Sequence, residues 1–195
     1  MTAMEGVSYA MVATYVASFL LVSAARAKES GRSIWPDPAG GMAAFLLPAA
    51  SAGAFLAPLA LWLLGRPVAD DPVERALSAL WIDIVGHALI VIGACIAIAA
   101  QAASVAPWER GGAGPIVGHG LYAISRNPVL VGHALLFLGL FLVLPGLVQG
   151  ALTVTLLAAI ALRVRDEERA LDASLGERYR GYTRKVARWI GRART

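Results

Sequence analysis

Arg163, Asp166, Glu167 and Glu168 stand together where one long apolar run ends, and Arg126, Asn127 and Pro128 stand where another begins. These residue types suit a charged small molecule, because guanidinium forks seat carboxylate or phosphate and carboxylates seat an ammonium. Ionisable groups at the end of a membrane helix cost free energy unless paired or used, which makes the cluster a functional candidate. The stretch Gly114-Pro115-Ile116-Val117-Gly118-His119-Gly120 leads into the second group. Such a glycine-rich approach lets backbone come close to a ligand. Pro128 suits a first helical turn, whose free N–H groups beside Arg126 form a seat for an anion.

Each group also has a plainer reading. The glycine-rich loop can be only a connection whose arginine reaches lipid headgroups. Arg163 and Glu167 are four apart, and a surface pair of that kind is worth about 0–1 kcal/mol. Asp83 and His87 have the same spacing, inside an apolar run, and we read Asp83 as sitting near an interface. His119 and His133 lack metal-ligand spacing and are read as structural. Cys95, the single cysteine, has no intrachain partner, and no Cys/His cluster suggests zinc. Gly-x-Ser-x-Gly, His-Glu-x-x-His and P-loop patterns are absent, so any chemistry here positions two reactants rather than attacking with a protein nucleophile.

Topology decides whether the two polar groups meet. Apolar segments run over about 7–25, 42–64, 77–103, 128–144 and 147–162. The first three reach the roughly 20 residues needed to cross a hydrocarbon core of about 30 Å. Only Pro145-Gly146 separates the last two, which forces an antiparallel hairpin with both mouths on one side. That returns 163–168 to the level of 126–128. With five spans, fifteen Lys/Arg fall on one side and only Arg66 and Arg75 on the other. The positive-inside rule then places the N-terminus outside and the C-terminus in the cytoplasm. No basic residue precedes the first segment, which argues for a retained helix rather than a signal peptide.

Beyond position 162 the chain turns polar. Leu171, Leu175, Tyr179, Tyr182, Val186 and Trp189 recur at three and four, which predicts an amphipathic helix on or under the membrane surface. The small residues Gly93, Ala94, Ala97, Ala99 and Ala100 predict close helix packing. The chain is 58% hydrophobic and 15% charged over 195 residues. It therefore reads as one all-α integral membrane domain: two N-terminal helices over 1–76, then a core over 77–195 with a hairpin at 128–162 and a tail at 163–195. The net charge of +4 comes from basic residues beside apolar segments, which points to anionic lipid and away from nucleic acid.

The segment 107–190 resembles the membrane-embedded methyltransferases that include isoprenylcysteine carboxyl methyltransferase and the phospholipid N-methyltransferases. The resemblance rests on Gly120-Leu121-Tyr122, Arg126-Asn127-Pro128-Val129-Leu130-Val131-Gly132, Glu167-Glu168, Leu175-Gly176-Glu177-Arg178-Tyr179, Tyr182 and Arg188-Trp189, in that order. It implies S-adenosylmethionine as methyl donor and a lipophilic acceptor such as an isoprenylcysteine-like carboxyl or thiol, or a lipid. It further implies that Gly114, Pro115, Ile116, Val117, Tyr122, Asn127, Pro128, Val129 and Leu130 line the cofactor pocket. Glu167 would bind the cofactor, while Arg163, with Arg126, would serve the reacting groups. Asn127 replaces the commoner His, Leu130 the usual Tyr and Leu121 a Pro. Asparagine cannot act as a base near neutral pH, so a second reading is a non-catalytic membrane protein that keeps the scaffold.

Overall fold

The computed structural model describes residues 3–30, 41–64, 71–102, 116 and 118–191. Of the sequence-predicted site, Gly114, Pro115 and Val117 lie outside these residues. The described chain is helical: α1 (Ala3–Ser30), α2 (Gly41–Leu63), α3 (Pro72–Leu77), α4 (Leu80–Ala102), a 3-10 turn (Gly120–Ala123), α5 (Pro128–Val143), α6 (Leu147–Leu175) and α7 (Glu177–Thr183). Gly6–Ala25, α4 and α6 are long and apolar enough to cross a membrane; Leu46–Leu61 and α5 are shorter apolar stretches. At 1.5 Å per residue the 16-residue α5 spans about 24 Å, against about 35 Å for the 23-residue α4. The expectation of five spans thus meets three long helices and two short ones.

Among the described helices, α4 and α5 pack the closest. A Cβ on Gly93 would lie 2.5 Å from the Gly132 carbonyl oxygen and from the Leu136 nitrogen. One on Gly139 would lie 2.5 Å from the Gly86 oxygen. Glycines seven apart on each helix therefore let the two backbones touch, as the small residues around Gly93 predict. One core gathers Val12 and Tyr15 of α1, Ala54 of α2, Ile90 and Ala97 of α4, Leu136, Phe137 and Leu140 of α5, and Leu156 and Ile160 of α6. α2 packs along α6, whereas α1 leans on α4 and α5.

Polar bonds fix α1. Ser8 Oγ lies 3.0 Å from His87 Nε2, while His87 Nδ1 lies 2.7 Å from the Asp83 carbonyl oxygen. A carbonyl only accepts, so Nδ1 donates there, and Nε2 is left to share a hydrogen bond with the Ser8 hydroxyl. Asp83 thus meets His87 through its backbone. Tyr15 Oη lies 2.6 Å from His133 Nδ1, and the Tyr15, Phe19 and Phe137 rings surround that imidazole with centroids 5.5 Å away. Both histidines tie helices together, as structural residues do.

Two boundaries differ from the sequence expectation. The third apolar segment is preceded by a separate short helix, α3, and its own helix, α4, starts only at Leu80; Asp71 Oδ1 accepts from the Val73 amide at 2.8 Å and Pro72 opens the α3 turn. The other Asp71 oxygen accepts from the Leu147 amide at 2.8 Å, so one carboxylate caps both α3 and α6. Hydrogen bonding from Leu147 holds the Asp71 carboxyl below its ordinary range. The tail is likewise not one separate helix: its first part continues α6 and its second part holds α7. Residues 163–175 hold no Gly or Pro, so α6 continues from 147 to 175 and stops where Gly176 adopts a φ of +52°. The apolar set lands on one cluster all the same, with Leu171 and Leu175 packed against Ile116, Tyr179, Tyr182 and Val186. Trp189 departs from it and stays 40% exposed.

Candidate functional site

The inner face of α6 runs Gln149, Thr153, Leu156, Ile160, Val164. Continuing it by four residues reaches Glu168, not Glu167, so Glu168 is driven inward where α6 leaves the bundle. Its side chain is only 11% exposed. A carboxylate so placed needs compensation, and two arginines supply it. Arg126 Nη1 lies 3.0 Å from Oε1, while Arg188 donates to Oε2 through Nε at 3.0 Å and Nη2 at 2.7 Å. The hairpin thus brings residues 126 and 168 into contact at one mouth, as its turn requires.

Backbone hydrogen bonds draw a third strand of chain into this mouth. The Arg126 amide donates to the Ala187 carbonyl at 3.1 Å and the Gly191 amide to the Ile124 carbonyl at 2.9 Å. Asn127 Nδ2 donates to the Arg188 carbonyl at 3.2 Å. Ser125, buried, accepts the Asn127 amide on its hydroxyl at 3.1 Å. Residues 186–191 therefore form a strap laid along 124–127, immediately before α5. Beyond the strap, Pro128 at the head of α5 is buried and Val129 is half-buried. The first amides of any helix have no intrahelical acceptor, so the Val129 and Leu130 N–H groups are turned toward this end.

Tyrosines close the floor. Tyr182 is buried and donates its hydroxyl to the Tyr122 carbonyl at 2.6 Å. A Cβ on Gly118 would run into that same carbonyl, so glycine is required for the approach. Tyr179 shares a hydrogen bond with Arg126; burial, then the Glu168 charge, push its phenol up to about 12. Burial also raises Tyr182 above the usual phenol range, with Tyr179 a smaller cause. The hydrogen bond to Glu168 raises Arg188.

The remaining sequence-predicted residues are placed as follows. Ile116 is buried against Tyr179, Tyr182 and Val186, and Leu130 packs against the main core. Arg163 Nε lies 4.0 Å from Glu167 Oε2, and both side chains are 38% exposed. Arg126, expected as a seat for a ligand anion, instead spends its charge on Glu168 and is 14% exposed. The sequence placed Glu168 in the polar cluster and both Glu168 and Arg188 in the family motif, but singled out Glu167 and Arg163; Glu168 and Arg188 are the two residues that organise the mouth.

A family model described as phospholipid methyltransferase matches residues 81–178. The chain belongs to the phospholipid methyltransferase family. The matched part of this methyltransferase takes in α4, α5 and α6, the glycine seam, the Arg126–Glu168 pair and the first residues of α7. α1, α2 and the strap lie outside it. No curated protein and no solved structure matches the chain.

Proposed function

We propose that this family member transfers a methyl group from S-adenosylmethionine to a lipophilic acceptor at the cytoplasmic face of the membrane. The observation that carries the proposal is the meeting of Arg126, Glu168, Tyr179 and Arg188 at the opening of α5, with apolar helices directly beside them. The fifteen-to-two split of basic residues supports the cytoplasmic side.

The donor set fits a molecule that carries an ammonium, a carboxylate and a sulfonium. Glu167, more exposed than Glu168 and in a longer ion pair, is the carboxylate for the ammonium. The α5 amides of Val129 and Leu130 suit the carboxylate. Ile116, Tyr122, Asn127 and Pro128 line the rest, and the family resemblance assigns Gly114, Pro115 and Val117, which lie outside the described residues, to the same pocket. Arg163 orients the acceptor's polar end. When bound, S-adenosylmethionine supplies a methyl group already activated on sulfur, so the protein's task is alignment in a water-poor mouth. A carboxylate or thiolate acceptor needs only orientation by Arg163, whereas an amine or hydroxyl must also lose a proton.

Two of the three departures from the family pattern have structural uses here. Asn127 holds the strap and Leu130 packs in the core, so neither residue by itself favours the non-catalytic reading. The test is transfer of labelled methyl from S-adenosylmethionine into lipid extract by purified protein in detergent. Organic-soluble label that falls with Arg163→Ala supports the proposal. Absence of label across carboxyl, thiol, amine and hydroxyl lipids contradicts it.

A further inference from the structure

The ion triad is asymmetric in a way that separates the strap from the body. Arg126 and Glu168 are 14% and 11% exposed, whereas the Arg188 side chain is 43% exposed and belongs to the strap. If the strap lifts away, Glu168 keeps Arg126 as a partner, so no lone buried charge is created. Departure then costs the two Arg188 bonds, the two backbone bonds 126–187 and 191–124, and the Asn127–Arg188 bond. On the strap side Ala187 and Gly191 are half-buried and Arg188 is exposed. Val186 is anchored in the tyrosine cluster, but Trp189 and Ile190 are 40% and 66% exposed. Local opening free energy is set by such contacts, and here they are few and polar.

Resting on the methyl-transfer reading, we infer that Glu168 and Arg188 are positioning residues that clasp the strap 186–191 over the turn 125–128 as a releasable wall of the cofactor pocket. The Arg126–Glu168 pair is the fixed half of the clasp, and Arg188–Glu168 is the half that opens. Closing the strap orders the residues just before Pro128, where the pocket-lining Asn127 and the α5 amides lie. The clasp therefore acts on cofactor affinity through the turn, without touching the transferred methyl group.

The test compares wild type, Arg188→Ala and Arg188→Lys by amide hydrogen exchange and by steady-state methyl transfer. In Arg188→Ala, exchange in peptides covering 124–127 and 186–191 rises about tenfold, and KM for S-adenosylmethionine rises by a similar factor with kcat little changed. Exchange in α4 and α5 stays at the wild-type rate, and Arg188→Lys recovers part of both effects. Unaltered strap exchange in Arg188→Ala overturns the clasp. Released exchange with an unaltered KM overturns its link to the cofactor. Should Arg188→Ala prove poorly folded, Arg188→Gln is read in the same two assays. If the wild type transfers no methyl group, the methyl-transfer reading and the cofactor link fall together, while exchange in the variants still judges the clasp alone.

Discussion

The α4–α5 seam and the Arg126 mouth, where α5 begins beside α6, are held by opposite means. Along the seam, Gly86, Gly93, Gly132 and Gly139 bring backbone against backbone, and the specificity is steric. At the mouth, one carboxylate, two guanidiniums, two tyrosine hydroxyls and three bonds between the strap and 124–127 set the geometry, and the specificity is directional. Inside lipid an apolar side chain gains nothing by leaving its surroundings, so close fit must hold the helices together. Near water the chain can use charge, at the cost of sensitivity to single partners and to pH. A rigid seam below a polar, adjustable mouth suits a site that admits a soluble ligand from one side and a lipid from the other.

Three experiments test that contrast. Gly93→Leu should have the largest effect, because even its Cβ has no room beside Gly132 and Leu136. We expect a loss of about 3 kcal/mol or more, read as a collapsed thermal transition in detergent. Wild-type stability in this variant would mean that the helices are not in backbone contact. Glu168→Ala should come next, since it strands Arg126 in a mostly buried position. A destabilisation of about 2 kcal/mol, with faster exchange at the mouth and unchanged exchange along the seam, is the expected pattern. Equal loosening of both regions would show that they are not independent.

Alkali should have the smallest effect and separate the regions without mutation. A phenol raised to about 12 keeps its proton in the folded protein while an unfolded tyrosine loses it near 10. The contribution of Tyr179 is fully present below about pH 10 and is lost as pH rises toward 12. Stability followed by denaturation should fall across that window, and Tyr179→Phe should flatten the fall. An identical slope in the variant would remove Tyr179 from the mouth.

Much of this was legible in the sequence. Run length and hydropathy located the five apolar segments, and the Pro145-Gly146 turn placed 126–128 beside 163–168. The three- and four-residue spacing from Leu171 to Val186 named the tyrosine cluster, although one helix was expected where Gly176 divides two. Other features carry no such signal. The Asp71 cap on Leu147 crosses 76 residues, and the strap is sewn to 124–127 largely through backbone atoms, whose pairing leaves no residue pattern. The choice of Glu168 over Glu167 as the buried carboxylate was available in principle. Following Leu156, Ile160 and Val164 inward by four leads to it, but the helix was read as ending at 162.

The central question for this protein is whether its mouth binds S-adenosylmethionine through Glu167. Calorimetric titration of the purified protein, with Glu167→Ala as control, tests it most directly. Micromolar affinity in the wild type, lost in a variant with an unchanged melting temperature, is the predicted result. No heat of binding in a well-folded wild type, or equal affinity in Glu167→Ala, would contradict it.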